Sequence, residues 1–224
     1  MKALDRLRGG LIVSVQAWPG SAIDDPGVLA AIALAAERSG AVGVRVQGAE
    51  NLAAVRARAS VPIVGIVKRE YDGYETYITA TMREVREILD AGAEVVAFDA
   101  TARPRPGGVT AAELIATIRA AGAIAMADCS CEADGLAAAA MGADVIATTL
   151  CGYTKETQGR ELPALDVVRA FAELDAFVVC EGGIHSPSSG QAALAAGADA
   201  IVVGTAITNI DWLVGSYVAA LPGR

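Results

Sequence analysis

The sequence predicts an α/β chain folded as a (β/α)8 TIM barrel, a single domain over residues 1–224. Three observations predict it. A helix-like stretch ending in Gly-Ala, followed by a β-branched apolar run, recurs at Gly40-Ala41, Gly92-Ala93, Gly122-Ala123, Gly142-Ala143 and Gly197-Ala198. Apolar runs and helical patterns alternate without interruption, the order of a parallel sheet covered by helices. The length of 224 residues holds eight such units and leaves no room for a linker or second domain.

The elements follow in order. The first strand is expected near 11–17, and the helix after it, 26–39, has Pro26 in its first turn, where a missing N–H costs little. Strand 42–48 follows the first Gly-Ala stop and leads into helix 49–58. The run VPIVGIVK places strand three near 62–68, ahead of helix 80–91. Strands near 94–100, 123–129 and 144–150 each follow a Gly-Ala stop, with helices at 110–121, 131–141 and 163–173 behind them. Strand 176–182 precedes helix 187–196, which opens on Pro187. Strand 200–206 and a helix near 209–220 complete the set. Glycine suits the left-handed residue that closes a helix, and near-continuous Val/Ile runs are what strands covered on both faces require. A doubly wound open sheet competes, but it has fewer strands and no GxGxxG follows strand one.

Composition narrows the function. With 18 basic and 26 acidic residues, the net charge of −8 argues against nucleic acid or an anionic membrane as partner. No uncharged apolar run reaches the ~18 residues of a bilayer span. MKALDRLRGG lacks the basic-then-apolar layout of a secretion signal. Cys129, Cys131, Cys151 and Cys180 do not form a disulfide pattern, and the CxC at 129 and 131 is a weak metal signal against buried thiols. His185 is the single histidine. A soluble, reduced, cytoplasmic protein is expected.

In this barrel, chemistry gathers at the C-terminal strand ends. Those ends read Gln16, Arg45 with Gln47, Lys68, Asp99, Asp128, Thr148-Thr149, Glu181 and Gly204-Thr205. Lys68 ends a run that is otherwise fully apolar. It either snorkels to solvent or stands in the mouth near Arg45, where burial and a neighbouring cation favour the neutral amine and allow general-base or Schiff-base chemistry. Glu181 is either a structural partner of Lys68 or an arginine, or the acid of an acid/base pair. Arg45 either binds an anionic oxygen or pairs with Asp99 or Asp128, which the sequence does not separate. Glycine turns at Gly182-Gly183 and Gly204-Thr205, after strands seven and eight, fit an anion site. The long loops 69–79 and 151–162, carrying Tyr71, Tyr74, Tyr77 and Tyr153, are expected either to act as lids or to pack as ordinary surface.

LIVSVQAWPG, GAVGVRVQG, VPIVGIVKREY, AFDATARPRPGG, MADCS, TTLCGYTKET, VVCEGGIHSP and IVVGTAIT together resemble the N-acetylmannosamine-6-phosphate 2-epimerase family, in register over nearly the whole chain. The resemblance implies a TIM barrel that interconverts N-acetylmannosamine 6-phosphate and N-acetylglucosamine 6-phosphate in sialic acid catabolism, with no redox cofactor. It implies that Lys68 and Glu181 carry proton transfer at C2, and that Gln16, Arg45 and Asp128 position the sugar and its N-acetyl group. Gly182, Gly183, Gly204 and Thr205 would hold the phosphate, with Tyr153 and Thr154 where the strand-six loop closes. Two family arginines near the anion end are Gly183 and Asn209 here.

The chemistry agrees. C2 of an open-chain aldose is α to a carbonyl, so a base can take its proton if the enolate oxygen is stabilised. No cofactor and no metal is expected, since one histidine cannot supply the His/Asp cluster of metal-dependent barrel epimerases. A Schiff-base lyase or aldolase on Lys68, and a phosphosugar-binding barrel without activity, remain as alternatives. The expected partner is the small phosphosugar; a homodimer is allowed, though the sequence does not fix it.

Overall fold

The computed structural model describes residues 2–18 and 20–222. Eight parallel strands close into a barrel in sequential order: β1 Leu11–Val15, β2 Gly43–Gln47, β3 Ile63–Ile66, β4 Val95–Asp99, β5 Ile124–Asp128, β6 Val145–Ala147, β7 Phe177–Glu181 and β8 Ala200–Val203. Helices α1 Lys2–Leu7, α2 Pro26–Arg38, α3 Ala49–Arg56, α4 Met82–Asp90, α5 Ala111–Ala120, α6 Glu132–Ala140, α7 Leu165–Ala172, α8 Pro187–Ala195 and α9 Ile210–Ala220 complete the described chain. None is long and apolar enough to cross a membrane. The (β/α)8 fold read from the sequence is therefore the one observed, with Pro26 and Pro187 in the first turns of α2 and α8.

The Gly-Ala repeat has a hydrogen-bonding cause. Gly40 takes φ +97°, its N–H donates to the Glu37 carbonyl at 3.0 Å, and the Ala41 N–H donates to Ala36, five residues back, at 3.0 Å. This pair of bonds is the Schellman stop, which turns the helix C-terminus into the next strand. The same two bonds close α4, α5, α6 and α8 at the other four Gly-Ala positions.

Strand alternation sorts the core into two layers. Val13, Val44, Val46, Phe98, Ile146 and Val178 face outward and pack on helix residues such as Leu29, Leu52, Ile88 and Phe171. Ile12, Val64, Ile66, Met126, Val179 and Val202 fill the interior. Continuing the inner parity toward the C-terminal ends places Gln16, Arg45, Lys68, Asp99, Asp128, Thr149 and Glu181 on the inside of the mouth.

Two features depart from the sequence-based expectation. α1, absent from that reading, puts Leu7 into the interior cluster at 2% exposure and closes the barrel floor. Gly43 makes room for it, since a Cβ there would stand 2.6 Å from Leu7 Cδ2. The last helix, α9, forms where expected but buries none of its residues. Val214, Tyr217, Val218 and Leu221 are all more than half exposed.

Candidate active site

The mouth of the barrel encloses a cavity of about 720 Å³, the size of a typical small-ligand site. Of the residues expected to form the site, Gln16, Arg45, Lys68, Tyr153, Glu181, Gly182, Gly183, Gly204 and Thr205 line it. Asp128 and Thr154 do not. Asp128 is wholly buried behind Arg45. Thr154 is 3% exposed and turns its hydroxyl to Thr157 at 2.9 Å, inside its own loop.

Arg45 is the centre of the charge network. Its guanidinium is 1% exposed and donates twice to Asp128, Nη1 to Oδ1 at 3.1 Å and Nη2 to Oδ2 at 2.6 Å. Nη1 also lies 3.1 Å from Glu181 Oε2. Burial opposes the charge on Arg45, and the carboxylates of Asp128 and Glu181 outweigh it. The two aspartates that the sequence left unseparated now part. Asp99, register neighbour of Asp128, binds Arg103 at 2.7 Å and the Thr101 hydroxyl at 2.6 Å, and so builds the loop after β4.

Glu181 is fixed at the end of β7 by Thr148, whose hydroxyl donates to the Glu181 carbonyl at 2.9 Å and accepts from its N–H at 3.1 Å. Burial raises its pKa, Arg45 works against the rise, and Asp128 adds to it. Thr149 bridges the two carboxylates. Its one hydroxyl lies 2.7 Å from Asp128 Oδ1 and 3.1 Å from Glu181 Oε2. One hydroxyl proton serves one carboxylate. Donation to Glu181 favours its carboxylate, against the effect of burial. Thr149 had no assigned role in the sequence reading. The inner parity it shares with Val145 and Ala147 was the signal for it.

Lys68 stands two residues beyond β3. Loop 69–79 is a flap folded back along this extension. Lys68 bridges Ile78, and Tyr71 bridges Tyr74. Thr79, at φ +43°, donates its N–H to the Val67 carbonyl at 2.7 Å and accepts from the Val67 N–H on Oγ1 at 3.1 Å. The Ile78 carbonyl accepts from Asp99 N–H at 2.9 Å, so the flap fills the seam between β3 and β4 above their short ladder. A non-glycine residue in the left-handed region is strained, and these bonds hold it there. Buried Glu84 anchors the flap through Arg69 at 3.2 Å and Tyr71 at 2.5 Å.

Lys68 is an exposed residue, and it lines the cavity. Protein crowding lowers its pKa and Arg45 lowers it further, against partial opposition from Glu181 and Asp128. Its Nζ sits 5.9 Å from the Trp18 ring centroid. No N···O approach within 4.0 Å joins Lys68 to Glu181, unlike Arg45 to Glu181 at 3.1 Å. An amine pushed toward neutrality and a carboxyl pushed toward protonation thus share one cavity without neutralising each other.

The remaining polar groups are positioned to bind. Gln16 donates to Ser14 Oγ at 2.6 Å, while its Oε1 is buried without a partner. A buried acceptor left open is costly unless a ligand meets it. Tyr77 and Trp18 also line the cavity. The described residues hold no cluster of three or more His, Cys, Asp or Glu able to bind a metal. Burial pushes the Cys151 thiol up to about 12, away from reactivity.

Fold and site together define a (β/α)8 barrel with acid–base groups at its C-terminal mouth. A sequence profile described as "NanE: Putative N-acetylmannosamine-6-phosphate epimerase" matches residues 29–222. The chain belongs to this family. It is 46% identical to "Putative N-acetylmannosamine-6-phosphate 2-epimerase" of Salmonella arizonae, over 95% of this chain and 92% of that one. It is 46% identical to the "Bifunctional enzyme NanE/NanK" of Brucella melitensis, over 96% of this chain and 41% of that longer one. Among solved structures, the N-acetylmannosamine-6-phosphate 2-epimerase from Clostridium perfringens superposes with a TM-score of 0.94 at 36% identity, covering 97% of this chain and 96% of that one.

Proposed function

We propose that this chain interconverts N-acetylmannosamine 6-phosphate and N-acetylglucosamine 6-phosphate, with Lys68 and Glu181 exchanging the proton at C2. The observation that carries the assignment of roles is the pairing of a cavity-facing amine, driven toward its neutral form, with a carboxyl driven toward its protonated form. With the sugar open, C2 lies between them. One group removes the C2 proton as the electron pair moves onto the adjacent carbonyl oxygen, and the other returns a proton to the opposite face. The reverse reaction starts from ammonium and carboxylate. Both starting states carry one titratable proton on the pair, so one ionisation state of the enzyme serves both directions.

Arg45 touches the cavity and supplies positive charge for the developing enolate oxygen. Asp128 acts through Arg45, holding the guanidinium in place. The open Oε1 of Gln16 takes a donor of the substrate, such as the N-acetyl N–H. The glycine turns at 182–183 and 204–205 hold the phosphate, and Tyr153 closes over the sugar.

Incubation of the protein with N-acetylmannosamine 6-phosphate in D2O tests this reading. Deuterium should enter C2 and the second epimer should appear, with no adduct trapped by borohydride. A borohydride-trapped adduct on Lys68 would favour the lyase, and binding without exchange would favour a barrel that only binds.

The working unit is a homodimer in this reading. α9 is apolar yet unburied, and Leu11 of β1 and Ile201 of β8, paired in register in the outer layer, are left only partly covered. A second copy of the chain, bringing its α9 to this seam, covers both. Sedimentation should give twice the chain mass, and Tyr217→Glu with Val218→Asp should give one. The four free cysteines fit a reducing cytoplasm, and one closed barrel fits a single domain over residues 1–224.

A further inference from the structure

We propose that His185 is the phosphate-recognising side chain of this cavity, offering a ring N–H at its glycine-rich end. The cavity has two chemically distinct ends. Arg45, Lys68 and Arg69 line the side built from β2 and β3. None of them is free to serve a phosphate at the far side. Arg45 is held by Asp128 and Glu181, Arg69 is held by Glu84 and Glu87, and Lys68 faces the reacting carbon in the proposed reaction.

The other end is lined by Gly182, Gly183, His185, Gly204, Thr205 and Asn209. Among the described residues lining this end, His185 is the one side chain that can carry a positive charge. Gly182 and Gly183 hold φ of +102° and +72°, a left-handed backbone that a side chain would strain. The bare turn lets an anion approach the main chain closely. Without His185, only backbone N–H groups and the neutral side chains of Thr205 and Asn209 face a doubly charged group, in a protein whose net charge is −8.

The imidazole is held in a manner that leaves it available. Its ring stacks on Trp212 of α9, with centroids 5.5 Å apart and planes 20° apart. Stacking fixes the ring by its face and uses neither ring nitrogen. Among the described residues, neither nitrogen makes a hydrogen bond. An imidazolium N–H directed to phosphate is a charge-assisted hydrogen bond, stronger than the neutral contacts the glycine turns offer. Arginine at position 183 is not an alternative here. A Cβ at Gly183 would lie 2.3 Å from Leu162 Cβ and 3.0 Å from the Leu162 carbonyl carbon.

The inference rests on the epimerase reading only for the identity of the sugar; the ester phosphate is all it requires. Inorganic phosphate is therefore the probe, titrated by calorimetry against wild type, His185→Ala and His185→Lys, with circular dichroism to confirm folding. Saturable binding is expected for wild type, roughly tenfold or more weaker binding for His185→Ala, and recovery for His185→Lys. In turnover, His185→Ala should raise KM for N-acetylmannosamine 6-phosphate by about the same factor while kcat stays within about twofold, the pattern of lost uniform binding. Equal phosphate affinity in wild type and His185→Ala, or none in wild type, overturns the assignment. Phosphate binding as expected, with no turnover of either hexosamine phosphate by wild type, would remove the epimerase reading and leave His185 in place.

Discussion

Replacing Asp128 by asparagine removes the carboxylate on which the Arg45 guanidinium rests. The pair is buried on both sides, at 1% and 0% exposure, and is doubly hydrogen-bonded at 2.6 and 3.1 Å. Breaking a buried pair leaves an uncompensated charge and costs about 3–5 kcal/mol. Glu181, still 3.1 Å from Nη1, offsets part of this, so a loss near the lower figure is expected. With a urea slope of roughly 2 kcal/mol per molar, that is a midpoint lowered by about 1.5 M. A second effect accompanies it. Asp128 is one of the groups that raise the pKa of Glu181, and its removal also frees Arg45 to favour the Glu181 carboxylate. The acid limb of the pH–rate profile should therefore move to lower pH. Equilibrium urea unfolding and kcat/KM against pH measure the two effects. A midpoint unchanged within about 0.3 M, together with a raised KM, would mean that Asp128 contacts the sugar directly and that its structural role here is mistaken.

Lys68→Ala should abolish epimerisation with folding retained, since it removes a group worth at least 10²–10⁴-fold in general acid–base catalysis; a wild-type rate would remove the main assignment. The alkaline limb of kcat/KM should fall below the ordinary lysine value of about 10.4, because crowding and Arg45 disfavour the ammonium. As pH rises through that limb the pair loses its last proton and activity is lost; a limb at or above the ordinary value contradicts this. Gly183→Arg should lower the urea midpoint and not tighten phosphate binding, since its left-handed φ of +72° and its contact with Leu162 both oppose a side chain. Tighter phosphate binding at unchanged stability would refute that.

The eight-fold alternation was legible because five of the helix stops are written locally. Gly40-Ala41 and its four counterparts specify both the φ and the two closing bonds. The inward set was legible for the same reason, since a period of two carries Val64 and Ile66 on to Lys68. Residues whose position depends on contacts distant in sequence were not legible. Leu7 reaches the barrel floor only because Gly43 leaves space for it. Ile78 fills the β3–β4 seam by accepting from Asp99 N–H, and this pins loop 69–79 as a flap. Asp99 and Asp128 look alike at their strand ends and differ only in which arginine reaches them. α9 has the composition of a buried helix but buries none of its residues in its own chain, touching it through the His185–Trp212 stack and the Ser21–Asp211 bond, and composition does not say whose surface covers the rest.

A two-base site makes a specific demand of its single variants. In Glu181→Gln, incubated in D2O, Lys68 should still wash out the C2 proton of the one epimer that presents it to the amine, with no conversion to the other. In Lys68→Met, the complementary epimer alone should exchange. Proton NMR at C2 of both hexosamine phosphates reads the result. Continued epimerisation by either variant, or exchange of the same epimer by both, would contradict a proton passed between this amine and this carboxyl.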